Sequence, residues 1–262
     1  MKMMRKIRVV FLVFALAAGC FSCAHNNTVT QVSTIDALLA GVYDGHLTCG
    51  KLLRFGDTGI GTFDKLDGEM LVTDGIVYQI KADGKVYKPS PDISTPFAAV
   101  VDFDADKSIE IHQPMSYAQL EQEIDRQCPD KNSFYAIRMH GMFSYMKTRS
   151  VPAQEKPYPP LVEVTKQQNV FEMRDVPGSI VGFRCPPYVK GINVPGYHLH
   201  FISDDIKTGG HILDFAVEGG NLEIDACNRF LMLLPEEDTA FSKVDLSRDT
   251  SDELEKVEKQ DN

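Results

Sequence analysis

The chain has 262 residues, 43% of them hydrophobic and 24% charged, with a formal net charge of −10. An acidic body with no basic stripe repels phosphate backbones, which argues against nucleic acid as a partner. The length suffices for one large core or two modest ones.

In chain order, Lys2, Arg5, Lys6 and Arg8 form a basic region ahead of an apolar run from Val9 to Ala18. That run is shorter than the roughly 20 apolar residues of a membrane-spanning helix, so residues 1–19 read as a signal peptide. Ala17-Ala18-Gly19-Cys20 resembles the lipobox of bacterial lipoproteins, although Ala17 stands where a larger aliphatic residue is usual, and Cys23 is a second candidate. Acylation at Cys20 would anchor an exported periplasmic or cell-envelope protein through a tether over 20–32, which includes His25-Asn26-Asn27-Thr28. Ordinary secretory cleavage nearby is the rival and would leave the protein soluble. Cleavage before Cys20 removes four basic and no acidic side chains, taking the formal charge to −14.

A short helix is expected from Ser33 to Ala40, ended by Gly41. Strands are expected over Gly50 to Gly56, Glu69 to Thr73, Gly75 to Ala82, Gly84 to Tyr87 and Phe97 to Phe103. Asp74-Gly75 and Asp83-Gly84 carry the signal of tight hairpin turns. Ser116-Tyr117-Ala118-Gln119 is a capping-box pattern leading into Leu120, Ile124 and Cys128, which predicts a helix stopped by Pro129. Phe134 to Tyr145 resumes as strand.

Residues 151 to 165 form a Pro-rich bridge, and prolines at this density give stiff, extended backbone without regular structure. It reads either as a linker or as an ordered loop crossing an active site. As a boundary it divides an N-terminal sheet subdomain, 33–165, from a C-terminal metal-binding subdomain, 166–262. Beyond it, strands are expected over Ser179 to Cys185, Tyr197 to Ser203, His211 to Glu218, Asn221 to Ala226 and Arg229 to Leu234. Turns are expected at Gly191 to Pro195 and Lys207 to Gly210, and a charged tail helix from Asp252 to Lys259. The class is a strand-rich α/β or α+β fold, with two mixed-sheet subdomains and a few flanking helices. Cys49, Cys128, Cys185 and Cys227 lie far apart with no C-x-x-C pair. Export permits disulfides, and buried free thiols are the equal alternative.

The strongest chemical signal is Gly196-Tyr197-His198-Leu199-His200-Phe201, followed by Asp204-Asp205 and Gly209-Gly210-His211. Residues i and i+2 of a strand share a face, so His198 and His200 project side by side, about 7 Å apart at Cα. The turn between them and His211 brings the third imidazole onto the neighbouring antiparallel strand. Three neutral imidazoles with a further position open to water or substrate describe a catalytic zinc site on a β-hairpin. A lone H-x-H is often only a polar strand face; the third histidine is what lifts this one. Cupins also place H-x-H on a strand, but they add a nearby glutamate that is missing at the expected spacing here.

Three segments then agree with one family. GYHLHFISDDIKTGGHILD (196–214) resembles the metal-binding hairpin of the acetolactate decarboxylases. GIGTFDKLDGEML (59–71) resembles their N-terminal active-site motif, and RSVPAQEKPYPPL (149–161) their Pro-rich motif. The resemblance implies a metal-dependent conversion of 2-acetolactate, a small 2-hydroxy-3-oxo acid, to acetoin and carbon dioxide. It implies His198, His200 and His211 as ligands of Zn2+ or another divalent ion, and Glu69 as a carboxylate working beside it. Arg149 would bind the substrate carboxylate, Thr62 would line the pocket, and a tail glutamate would approach the metal, Glu258 being the choice and Glu255 the reserve. Taken alone, Glu69 reads as an ordinary hairpin glutamate, Thr62 as a strand threonine and Arg149 as a surface ion pair. No organic cofactor is expected, since neither a G-x-G-x-x-G turn nor a phosphate loop is present. Another metal-dependent enzyme on a related scaffold and a non-catalytic metal-binding lipoprotein are the alternatives. Monomer and homodimer are both open.

Overall fold

The computed structural model describes residues 27–237 and 239–258. The expected signal peptide, Cys20 and Cys23 lie outside the described residues. In chain order, β1 (Thr28–Val32) leads to α1 (Ile35–Leu39), β2 (Leu47–Thr48), α2 (Cys49–Leu52) and β3 (Thr58–Thr62). β4 (Glu69–Thr73), β5 (Ile76–Ile80), β6 (Val86–Tyr87), β7 (Ser94–Thr95), β8 (Ala98–Val101) and β9 (Lys107–Ile111) follow. Then come β10 (Met115–Ser116), α3 (Tyr117–Gln127), β11 (Phe134–Ser150), α4 (Leu161–Thr165) and β12 (Asn169–Cys185). β13 (Gly196–Ser203), β14 (Gly209–Cys227), β15 (Arg229–Leu233) and α5 (Ser251–Glu258) complete the chain. The fold is strand-rich α+β.

One sheet has the strand order β15-β1-β8-β3-β4-β5-β6, with β1 and β15 parallel and the others antiparallel. The second runs β10-β14-β11-β12-β13, with β9 against β14. β13 also pairs with the start of β14, so β11, β12, β13 and β14 close into a circuit. The alternation that sequence patterning predicts is visible on β13: Leu199 and Phe201 enter the core of the second sheet with Phe143, Ile180 and Phe215, while His198 and His200 take the opposite face. A second core lies between the sheets, around Ile60, Leu71, Val181 and Phe183. α3 starts at a capping box as expected: Gln119 N–H donates to Ser116 Oγ at 3.3 Å and Ser116 N–H to Gln119 Oε1 at 2.8 Å. Leu120 and Ile124 are its buried face.

Several expectations are corrected. The tether does not extend to residue 32, because Thr28–Val32 is an interior strand with Val29 and Val32 fully buried. Gly50 to Gly56 is not a strand: Lys51 N–H donates to Thr48 Oγ1, which starts α2, and the buried residues of that stretch, Leu52 and Gly56, do not alternate as those of a half-buried strand would. The two strands expected over 211–226 are one, β14. Gly219-Gly220 passes through the sheet instead of turning, because Gly220 packs so close to β11 that a Cβ there would lie 2.2 Å from His140 O.

The boundary at 165/166 is crossed by both sheets: β11 pairs with β12 and β14 throughout, and β15 joins the first sheet. The Pro-rich bridge is the ordered loop of the two alternatives. Gln154 N–H donates to Lys65 O at 2.7 Å, Tyr43 Oη to Pro159 O at 2.9 Å, and Tyr158 Oη to Asp44 at 2.9 Å. Nor does it lack regular structure to its end. Past Pro160 every residue has an N–H to donate, and Leu161–Thr165 forms α4 on its buried Leu161 and Val164. Cys49, Cys128, Cys185 and Cys227 are buried free thiols.

Candidate metal centre

Strand register assembles the site. At the start of β14, His211 lies opposite Arg149 of β11 on one side and His200 of β13 on the other. Arg149, His211 and His200 thus form a row across three strands, and His198 joins them from two residues earlier on β13. The first sheet meets this row with the end of β3 and the start of β4, where Thr62 pairs with Glu69. From the C-terminus, α5 brings Val257 and Glu258 against the same point.

The three imidazoles are 8%, 1% and 3% exposed for His198, His200 and His211. Their ring centroids lie 5.0 to 5.4 Å apart, with one ligand atom from each within 4.8 Å of the others. His200 Nδ1 donates to Met70 O at 2.8 Å, which fixes the tautomer and leaves the lone pair on Nε2. That Nε2 is buried and has no hydrogen-bond partner. Burial pushes the His198 pKa down to about 3, and Arg149 adds to the shift. Burial likewise holds His200 and His211 well below the usual imidazole range. Three neutral, inward-turned nitrogens with one orphaned lone pair fit a divalent cation by chemistry of donor and geometry alike.

Two carboxyls share this space. Glu69 Oε2 lies 3.7 Å from His200 Nε2, and Glu258 Oε2 lies 3.7 Å from His211 Nε2. Burial raises Glu258 to about 7 against the opposing pull of Arg149. It also raises Glu69 to about 7, where Arg149 again opposes and Glu258 reinforces. Arg149, 5% exposed, donates from Nη1 to Glu69 Oε1 at 3.2 Å and from Nη2 to Val257 O at 3.3 Å, while its Nε has no partner. Thr62 borders the cavity, and its Oγ1 donates to Gly68 O at 2.7 Å. The hydroxyl therefore ties down the turn that presents Glu69.

All seven predicted site residues border one pocket. Leu38 of α1, Phe97, Val151, Leu161 of α4 and Val257 of α5 make its other wall. None of these was singled out in the sequence, where apolar residues in short helices read as ordinary core. His46, His112 and His140 are not among the residues that border the site; His140 lies beside Asp204 at the surface.

The alpha-acetolactate decarboxylase family profile matches residues 29–248. The chain is 50% identical over 234 residues to an alpha-acetolactate decarboxylase of Methanosarcina mazei, covering 89% of this chain and 81% of that one. It is 45% identical to one from Methylococcus capsulatus, covering 89% and 90%. The crystal structure of alpha-acetolactate decarboxylase from Bacillus subtilis strain 168 superposes with a TM-score of 0.86 at 39% identity, over 89% of this chain and all of that one. A fold and motif set shared over this span leave one assignment: the chain belongs to the alpha-acetolactate decarboxylase family.

Proposed function

We propose that the protein decarboxylates 2-acetolactate to acetoin and carbon dioxide with a divalent ion, zinc by donor chemistry, held by His198, His200 and His211. The observation that carries this reading is the junction of three buried neutral imidazoles, two carboxyls raised to about 7 and a buried arginine around one pocket. A bound cation supplies Lewis acidity where negative charge develops.

The residues of the chain do the rest. Arg149 offers a permanently charged planar donor set, including its unpartnered Nε, to the carboxylate that will leave. Loss of carbon dioxide from the acetolactate anion leaves its bonding electrons on the neighbouring carbonyl as an enediolate, which needs one proton to become acetoin. Glu69 and Glu258, both raised toward neutrality by burial, stand on two sides of the histidine cluster, so either can deliver it to carbon. The apolar wall keeps bulk water from competing for the charge. Thr62 keeps the Glu69 turn in position.

Acetoin formation from acetolactate, measured with and without a chelator, tests the proposal. Activity should vanish on chelation and return with added zinc. Replacing all three histidines by alanine should remove metal and activity together. A metal-free triple variant that still released carbon dioxide at the wild-type rate would end the proposal. We also propose export with acylation at Cys20, supported by the basic residues Lys2 to Arg8, the short apolar run and the lipobox-like Ala17-Ala18-Gly19-Cys20. Palmitate labelling of the Cys20→Ser and Cys23→Ser variants reads it directly.

A further inference from the structure

Glu258 reaches the site as the last residue of α5, so its place depends on what holds that helix. Leu254 and Val257, three residues apart on one face, pack in the cluster that includes Leu38 and Leu161. Among the described residues, the chain beyond Leu234 makes no backbone–backbone hydrogen bond to the rest of the protein. Side chains must therefore set the position of α5 along its groove. At its C-terminal end the hold is Arg149, whose Nη2 donates to Val257 O at 3.3 Å. Arg149 is also the group offered to the substrate carboxylate, so that hold is shared with the reaction. At the other end the hold is made by residues that do not border the pocket. Thr250, immediately before α5, donates from Oγ1 to Asp36 Oδ1 on α1. Lys190 Nζ lies 2.9 Å from Asp249 Oδ2 beside it, but both partners are more than half exposed and such pairs contribute little. Asp36 is buried and is the firmer anchor.

We infer that Asp36 is a positioning residue for Glu258: by gripping Thr250 at the far end of α5, it fixes where the tail carboxyl stands beside His211. This rests on the decarboxylase reading above and adds to it a residue that works from outside the pocket. Asp36 is itself firmly placed. Its N–H donates to Gly191 O at 3.3 Å, and the N–H of Ile35 donates to Ile192 O at 2.9 Å. Gly191 has a φ of +79°, and a Cβ on it would lie 2.9 Å from Asp36 Oδ2, so this loop closes directly against the carboxylate. The eight residues of α5 then span about 12 Å from Thr250 to Glu258. A helix of that length transmits a slip at one end to the other. Glu258 Oε2 lies 3.7 Å from His211 Nε2. Misplacing a working group by about 1 Å lowers a rate by up to about 100-fold.

The experiment is a double-mutant cycle on the metal-loaded full chain with acetolactate as substrate. Thr250→Val keeps the side-chain shape and deletes the hydroxyl; kcat should fall at least about tenfold, with KM within about twofold and bound metal unchanged. Thr250→Ser keeps the hydroxyl and should stay within about twofold of the wild-type kcat. Asp36→Ala should lower kcat as Thr250→Val does, and the two together should lower it no further than either alone. In a Glu258→Gln background, Thr250→Val should change kcat by less than about twofold, because the carboxyl being positioned is gone. A role in packing alone would lower kcat by the same factor in both backgrounds. The inference is overturned if Thr250→Val leaves kcat within about twofold of wild type, if its loss persists in Glu258→Gln, or if Glu258→Gln itself leaves kcat unchanged. A wild type that does not turn over acetolactate overturns the decarboxylase reading, and the positioning role with it.

Discussion

Gly182→Ala should dismantle the metal centre without touching a ligand. Gly182 sits on β12 opposite Leu199, between the pairs Phe183 with His198 and Val181 with His200. A Cβ at this position would stand 2.1 Å from the carbonyl oxygen of His198 and 2.9 Å from Leu199 Cα, where real Cβ contacts stay beyond 3.0 Å. The obstacle is backbone, which no side-chain rotation relieves. β13 must therefore move away by about 0.9 Å, carrying His198 and His200 with it. Metal–ligand distances tolerate only about ±0.2 Å, so affinity should fall by at least the 10- to 100-fold typical of lost ligand support. Overpacking should also cost about 1–3 kcal/mol, roughly 2–12 °C in melting temperature for a chain of this size. Competition against a chromogenic chelator reads the affinity, and thermal melts of the metal-stripped protein read the packing cost. A folded Gly182→Ala protein with wild-type metal affinity would refute the claim that strand spacing sets the ligand geometry.

Two further outcomes test the neighbouring groups. Arg149→Ala should keep its metal but lose kcat/KM for acetolactate by about 100-fold or more, since the substrate carboxylate loses the donor set that binds and orients it; unchanged kinetics would reassign Arg149 to structure. The variant should also be less stable by up to about 3–5 kcal/mol, because Glu69 is left as a buried acid without its cation. For pH, the sign follows from Glu69 holding a folded pKa of about 7 against an ordinary 4.5. The folded state keeps a proton that the unfolded chain has already released, so the stability linked to it is complete below about pH 4.5 and is lost as pH rises to about 7. The ceiling is about 3 kcal/mol from a shift of this size. The depressed histidines act in the opposite sense, losing stability as pH falls, so the difference between variants is the clean readout. In metal-stripped protein, Glu69→Gln should match wild type near pH 4.5 and exceed its stability by up to about 3 kcal/mol above pH 7. Parallel denaturant curves across that range would contradict the burial of Glu69 as the cause.

The sequence by itself determined the local features whose causes are local. The capping box of α3 and the Asp-Gly turns needed only neighbouring residues, and so did the pairing of His198 with His200 on one strand face. The H-x-H and its return to His211 were legible because a strand's two-residue period and a tight turn are short-range geometry. The tertiary structure alone decided what depends on register between distant segments. Arg149 stands beside His211 because β11 and β14 align across more than sixty residues of chain, and Glu69 meets His200 because two sheets pack there. The Pro-rich segment could not be told from a linker, since its role comes from what lies beneath it. The same holds for Leu38, Leu161 and Val257, which are apolar helix residues like many others until three helices close over one cavity. Burial, likewise absent from sequence, is what turns two ordinary glutamates into acids poised near neutrality.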